Sequence, residues 1–151
     1  MRVTTWTEYS LIISVHLAKH RAEGPVAARD IALAEQLPVD YVEQILLRLR
    51  RAGVVESVRG AKGGYFLAKD PSAISMQDIM AASEHQTFEA NCLTHPIDAE
   101  RCSPNSSCSM RPVWYALEQR VNDLLGSVSL ADLMQQEAQV QLQVGMAAPT
   151  G

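Results

Sequence analysis

Along the chain, stretches in which apolar residues return every three or four positions alternate with short punctuated breaks. Residues 5–21 place Trp6, Tyr9, Ile13 and Leu17 at helical spacing, with Leu11, Ile12 and Val15 widening the stripe. A helix is predicted there, ended by Gly24-Pro25. Residues 27–36 form a second, shorter helical segment whose apolar side is assigned to Ile31, Leu33 and Ala34. Beyond Leu37-Pro38 a third helix is predicted from about 39 to 52. Val42, Ile45, Leu46 and Leu49 share its inner face, and Gly53 stands where a left-handed cap residue belongs.

The period then changes. Val54–Arg59 and Tyr65–Lys69 read as strands, joined by Gly60-Ala61-Lys62-Gly63-Gly64, a linker suited to a turn with positive φ. Asp70-Pro71 closes this hairpin. Ser75, with Asp78 three residues on, forms a partial capping box for a fourth helix whose apolar residues are Ile74, Met76, Ile79 and Met80. Residues 85–111 show no period and hold all three cysteines, two of the four histidines, Pro96 and Pro104. A stretch of that length inside a compact domain marks a functional or a disordered loop. A long helix follows over 112–126, with Pro112 in its first turn and a stripe of Val113, Leu117, Val121 and Leu124; Gly126 ends or kinks it. Residues 129–141 continue as a weaker helix, and 144–151 are expected to be disordered. The expected units are therefore 1–84, the cysteine loop 85–111, the helices of 112–143 and the tail.

Composition keeps this picture globular: 47% of the 151 residues are hydrophobic and 20% charged. No apolar run approaches the ~18 residues of a membrane span. No basic stretch leads into an apolar segment at the N-terminus, so a cytoplasmic chain without a membrane partner is expected. The net charge of −4 hides an asymmetry. Residues 1–70 carry ten Lys/Arg against eight Asp/Glu, while 71–151 carry three against nine. Within 44–69 there are six basic residues and one acid, Glu56, which suggests an anionic partner for that half alone.

Three short helices followed by a glycine-turned hairpin is the order of a winged helix-turn-helix. The fold class is accordingly mainly α with a small β-hairpin wing. On the third helix Tyr41, Gln44, Arg48 and Arg51 share a face that can bond base edges and phosphates of a DNA major groove. Glu43 can accept from a cytosine amino group, Arg29 on the second helix adds a cation, and Arg59 and Lys62 would project from the wing. The ordinary alternative is a solvated charged helix face. A nucleotide-binding loop at Gly60–Gly64 fails on pattern, because neither GxxxxGK[ST] nor a GxGxxG opening a helix is present. With no CxxC pair and no Ser/His/Asp arrangement, the chain is not expected to be an enzyme. An iron–sulfur scaffold or a redox protein is the alternative of another class.

Cys92, Cys102 and Cys108 are spaced C-x9-C-x5-C. Three thiols cannot all pair within one chain, and a reducing compartment opposes pairing. Their concentration in one polar loop points to a soft metal centre, zinc or iron–sulfur, that needs a fourth ligand. Candidates are His95, Asp98 and Glu100 in the loop, and His85 and Glu8 elsewhere. His16 and His20 on the first helix are read as ordinary surface or packed histidines. Unrelated free cysteines, or redox-active thiols with no metal, are the alternatives.

The runs YVEQIL from Tyr41, LRRAGVV from Leu49 and SVRGAKGGYFL from Ser57 resemble the DNA-binding domain of one bacterial regulator family, over roughly residues 1–130. That family includes the iron–sulfur regulator IscR, the nitric-oxide-sensing repressor NsrR and the iron-responsive RirA. Ala61 stands where members often carry proline. The resemblance implies a DNA-binding regulator, read as a repressor, that senses redox, nitric oxide or iron status. It implies a homodimer built on the helix 112–126 and a palindromic operator in double-stranded DNA. It also implies an iron–sulfur cluster held by Cys92, Cys102 and Cys108. In IscR-like members a histidine three residues after the last cysteine completes a [2Fe–2S] site; Arg111 stands there. In NsrR-like members a carboxylate near the partner chain's N-terminus completes a [4Fe–4S] site, and Glu8 matches that place. Glu8 with [4Fe–4S] is the preferred reading, with His95 and [2Fe–2S] as alternatives.

Overall fold

The computed structural model describes residues 3–84, 88 and 90–146. In chain order these form α1 (Thr5–Lys19), α2 (Ala28–Glu35), α3 (Val39–Arg51), β1 (Val55–Val58), β2 (Gly64–Leu67), α4 (Met76–Glu84), a single turn α5 (Asn91–Thr94), α6 (Arg111–Ser127), α7 (Leu130–Leu133) and α8 (Glu137–Gln143). This is the winged helix-turn-helix order, followed by a loop and a long helix.

The core lies where α1, α3 and α4 meet beneath the hairpin. Ile13, Val42, Ile45, Leu46, Leu49, Ile79 and Leu130 are fully buried there. Helix α1 crosses the core on small hydroxyls: buried Ser10 and Ser14 donate to the carbonyls of Trp6 and Ser10, which satisfies both without outside partners. Ile12, expected on this face, is 38% exposed. Thr4 caps α1, and Glu35 at the end of α2 binds buried His16 of α1 at 2.6 Å. Helix α2 corrects the sequence assignment. Ile31 and Ala32 face the core, whereas Leu33 is 81% exposed and Ala34 also faces outward.

The hairpin pairs Val55 with Leu67 and Val58 with Gly64 in antiparallel register. Its outer strand is sewn back to the segment before α2, because Val26 and Tyr65 exchange two backbone bonds of 2.9 and 2.8 Å. That contact needs glycine at position 64, whose β-carbon would meet the Val26 carbonyl at 2.4 Å. Ser75 and Asp78 complete a reciprocal capping box at α4, with bonds of 2.8 and 3.1 Å.

The C-terminal part departs from a simple continuation. Val128 and Leu130 return to the body, sewn to residues 74–76 by bonds of 2.8 and 2.7 Å. The single weak helix expected over 129–141 is two short helices. Ser129 with Asp132 and Gln136 with Gln139 each form a capping box and so start a new helix. Residues 147–151 of the expected tail lie outside the described residues. No residue of α6 is buried, and Val113, Leu117 and Leu124 are 59%, 40% and 49% exposed. Its apolar stripe therefore does not serve the core of its own chain.

Candidate nucleic-acid interface and thiol loop

The buried set of α3 fixes what the helix presents outward. With Val42, Ile45, Leu46 and Leu49 inside, Asp40, Tyr41, Glu43, Gln44, Leu47 and Arg51 are all exposed. Pro38 begins this helix, and Gly53 at φ +75 ends it. Arg59 and Lys62 are exposed at the tip of the hairpin, and Arg29 is exposed at the start of α2, 3.9 Å from Asp30. Leu47, 41% exposed, was not singled out from the sequence. Its outward position follows once the inner face is known, and an apolar side chain there can contact a thymine methyl.

Arg48, also exposed on this flank, has partners within the chain as well. Its Nη1 donates to the Ser83 carbonyl at the end of α4 (2.7 Å), and its guanidinium lies 4.2 Å from the centroid of the Trp6 ring. Tyr41, two helical turns earlier, also packs on Trp6 at 5.0 Å and meets Tyr9 edge-on at 6.1 Å. Both α3 side chains are thus anchored on α1 through one indole. Around the same point, Thr4 and Thr7 hydroxyls donate to the Glu84 carboxylate, and Thr7 bonds Ser83 at 3.3 Å. Arg48 ties helices together inside the chain. Among the described residues of this half, Arg50, Arg51, Arg59 and Lys62 are exposed basic groups, and Arg29 is exposed beside Asp30.

In the loop, Cys92 lies in α5, while Cys102 and Cys108 lie in irregular backbone; all three thiols are unpaired and half-buried. Asp98 accepts from the Arg101 N–H at 2.7 Å and from its carbonyl holds Cys102 N at 2.9 Å, so this candidate ligand is spent on a turn. His95 contacts the Thr94 hydroxyl at 3.1 Å. Glu8 is exposed in the first turn of α1, Glu100 is exposed, and His85 lies outside the described residues. Among the described residues, no three His, Cys, Asp or Glu side chains gather closely enough to hold a metal ion. The expected ligands are therefore not brought together in this conformation.

Arg111, at the start of α6, organises the loop instead. Its guanidinium donates to the carbonyls of Ser103 (2.9 Å), Pro104 and Ser106 (both 3.4 Å), and reaches that of Cys102 at 3.5 Å. Backbone N–H groups of Arg111 and Met110 bond the Cys108 sulfur. With the nearby charges of Arg111 and Arg101, they pull its pKa below the ordinary thiol value. In kind, the donor set fits a soft metal centre: three available thiols, one of them predisposed to the thiolate.

A winged helix-turn-helix body, a three-thiol loop and an uncovered helix α6 find their counterpart in known proteins. Residues 3–136 match the Rrf2 family, described as an iron-dependent transcriptional regulator. The chain belongs to the Rrf2 family. Among its relatives is the HTH-type transcriptional regulator IscR of Xenorhabdus nematophila, 32% identical over 137 residues, covering 91% of this chain and 81% of that one. The solved structure of T. potens IscR superposes with a TM-score of 0.69 at 31% identity, over 98% of this chain and 93% of the other. Staphylococcus aureus CymR in its oxidised form gives 0.68 at 29% identity, over 90% and 98%. This Rrf2 chain is therefore a transcriptional regulator of the IscR-like kind. Among its described residues no helix is long and apolar enough to cross a membrane.

Proposed function

We propose that this Rrf2 regulator works as a homodimer on a palindromic operator, with a DNA affinity set by the state of Cys92, Cys102 and Cys108. The observation that carries this reading is the loop itself. Three unpaired, half-exposed thiols stand between the DNA-binding body and a helix with no buried residue. An uncovered 17-residue helix, ~26 Å long at 1.5 Å per residue, supplies a two-fold interface through Val113, Leu117, Val121 and Leu124. Two recognition helices then meet half-sites about 34 Å apart. Tyr41, Glu43 and Gln44 face base edges, Arg51 and Arg29 face phosphates, and Arg59 and Lys62 reach from the wing to the backbone or minor groove. In domain terms, 1–84 binds DNA, 85–111 senses and 112–143 dimerises.

An iron–sulfur cluster is the preferred occupant, held by Cys92, Cys102 and Cys108, with Glu8 of the second copy ahead of His95 as fourth ligand. A [4Fe–4S] cluster comes before [2Fe–2S]. Such a group supplies redox sensitivity and lability, greater where one ligand is an oxygen. The residues of the chain contribute the rest: the thiols bind, and Arg111 keeps the Cys102–Ser106 segment in shape. A second reading, thiol redox without a metal, is favoured by the environment of Cys108, where backbone N–H groups and two arginines favour the reactive thiolate. The oxidised form of CymR, a relative of like fold, supports it.

The test is a visible spectrum of anaerobically purified protein, with iron and sulfide assayed on the same sample. About four irons per chain with a broad brown band supports [4Fe–4S]; about two with a red, structured spectrum supports [2Fe–2S]. A colourless protein whose DNA binding responds to thiol oxidation transfers the sensor to the thiols alone. No response of DNA binding to any thiol or iron treatment overturns the sensing role.

A further inference from the structure

We infer that Arg48 is a positioning residue that couples the thiol loop to the recognition helix, and that it does not read DNA. The inference rests on the sensing role proposed above and adds the route by which the loop reaches α3.

The last residues of the body before the loop are Ser83 and Glu84. Both are held, but by different elements. The Ser83 carbonyl accepts from Arg48 of α3 at 2.7 Å. The Glu84 carboxylate accepts from Thr4 and Thr7 at the start of α1. The two anchor points converge again on Trp6, which lies between Thr4 and Thr7 and carries the Arg48 guanidinium on its face at 4.2 Å. Tyr41 leans on the same indole. A shift of the loop root, or of the first turn of α1 that bears Glu8, must therefore act on Arg48 or Trp6. Through them it acts on two α3 side chains, Tyr41 and Arg48, at either end of one helix flank.

The chemistry suits transmission. A guanidinium has a rigid planar fork, so one end can bond a carbonyl while the plane stays stacked on an aromatic ring. Lysine keeps the charge but cannot do both at once. The bond is to a backbone oxygen, so it tracks the path of the chain into the loop and not one side chain's rotamer. A ligand state can shift DNA affinity only through a difference between two arrangements, and a junction with few bonds is where such a difference is made or lost. Arg48 is exposed, but one nitrogen of its guanidinium is bonded and one face is stacked, so fewer of its donors are left for a phosphate.

The experiment measures operator affinity of the full-length dimer in two loop states: reduced and metal-free, and reconstituted anaerobically with ferrous iron and sulfide. N-ethylmaleimide-capped protein provides a third state. The expected wild-type ratio between states is roughly 5- to 150-fold. For Arg48→Ala and Arg48→Lys the ratio should fall to within about twofold of unity, with unchanged iron uptake and an unchanged salt slope. In a Trp114→Phe background, Trp6 fluorescence should respond to the loop state with Arg48 present and not with Arg48→Ala.

Thr7→Val combined with Glu84→Gln leaves α3 untouched and should reduce the ratio as well, which keeps the test valid if Arg48→Ala fails to fold. Equal loss of affinity in all states, with a salt slope lowered by about 0.9 per site, would make Arg48 a phosphate contact and overturn the proposal. So would a ratio unchanged in every variant. If wild-type protein binds its operator identically in all three states, the sensing role itself has failed, and the coupling route falls with it.

Discussion

The wing stands or falls with Gly64, and the cost of a single methyl group there can be worked out. A β-carbon at this position would lie 2.4 Å from both the carbonyl carbon and oxygen of Val26 and 2.8 Å from the Ala27 nitrogen. Ordinary contact distance is about 3.5 Å, so the strand must retreat by about 1 Å. The Val26–Tyr65 bonds, now 2.9 and 2.8 Å, would then stretch to about 3.9 Å and cease to be hydrogen bonds. Two lost bonds cost about 1 kcal/mol each. Residual overpacking adds about 1–3 kcal/mol. Gly64→Ala should therefore cost about 3–5 kcal/mol from these two effects alone, before the backbone penalty of its own positive φ, a large share of the ~5–15 kcal/mol that holds a domain of this size.

Gly60→Ala is the control. Gly60 also has positive φ, +119°, but nothing lies within 4 Å of its added carbon, so only the backbone penalty of about 1–3 kcal/mol applies. In urea, Gly64→Ala should lower the unfolding midpoint by roughly 2 M or more, taking a slope of about 2 kcal/mol/M. Operator binding should weaken further, because Arg59 and Lys62 ride on the displaced hairpin. A Gly64→Ala protein as stable as Gly60→Ala would refute the reasoning, since the close approach of the wing to Val26 would then not exist.

Arg59→Ala should lower the salt slope of operator binding by about 1.8 for a dimer with two wings, read from titrations at several salt concentrations. Leu117→Glu should produce monomers in sedimentation or gel filtration, while circular dichroism stays native, because this side chain is 40% exposed and serves no core. Asp70 is held at about 2, below the ordinary 3.8, by the Ser72 hydroxyl and N–H and by Arg21. Its stabilisation is complete above pH 3.8 and lost as pH falls toward 2. Asp70→Asn should flatten the thermal midpoint between pH 5 and pH 3 relative to wild type. Cys108 should be alkylated faster than a free thiol at pH 7, and Arg111→Met, which removes the nearby charge but keeps the backbone N–H, should slow it without abolishing the difference, as followed by peptide mass mapping.

The periodic elements were legible because one face of each decides its geometry. α3, the hairpin and α4 fall where the spacing of Val42, Ile45 and Leu49, the Gly60–Gly64 linker and the Ser75/Asp78 pair put them. α2 was not legible in the same way. Its eight residues offer Ile31, Ala32, Leu33 and Ala34 in a single turn, and only packing on α3 selects Ile31 and Ala32 over Leu33. The break after Leu133 left a readable signal. Gln136 and Gln139 repeat the reciprocal capping pattern recognised at Ser75 and Asp78, but the apolar spacing of 129–141 masked it. Arg48 shares the exposed flank assigned to DNA, and sequence does not show what else that flank meets. Its partners, Trp6 and Ser83, lie 42 and 35 positions away.

If the thiol loop is the sensor proposed above, the two arginines on either side of it explain how it reports. At its root, Arg48 and the Thr4/Thr7–Glu84 bonds fix the chain to α3 and α1. At its end, Arg111 gathers the carbonyls of Ser103, Pro104 and Ser106 against the first turn of α6. The loop is thus clamped between the recognition helix and the helix proposed to carry the dimer axis. On the sensing role proposed above, a change in the thiols would alter the placement of α3 relative to α6, which in the proposed two-fold dimer is the spacing of the two recognition helices. Operator DNA fixes that spacing at one helical turn, so a small shift at the loop becomes a difference in affinity without any change at the base-contacting residues themselves.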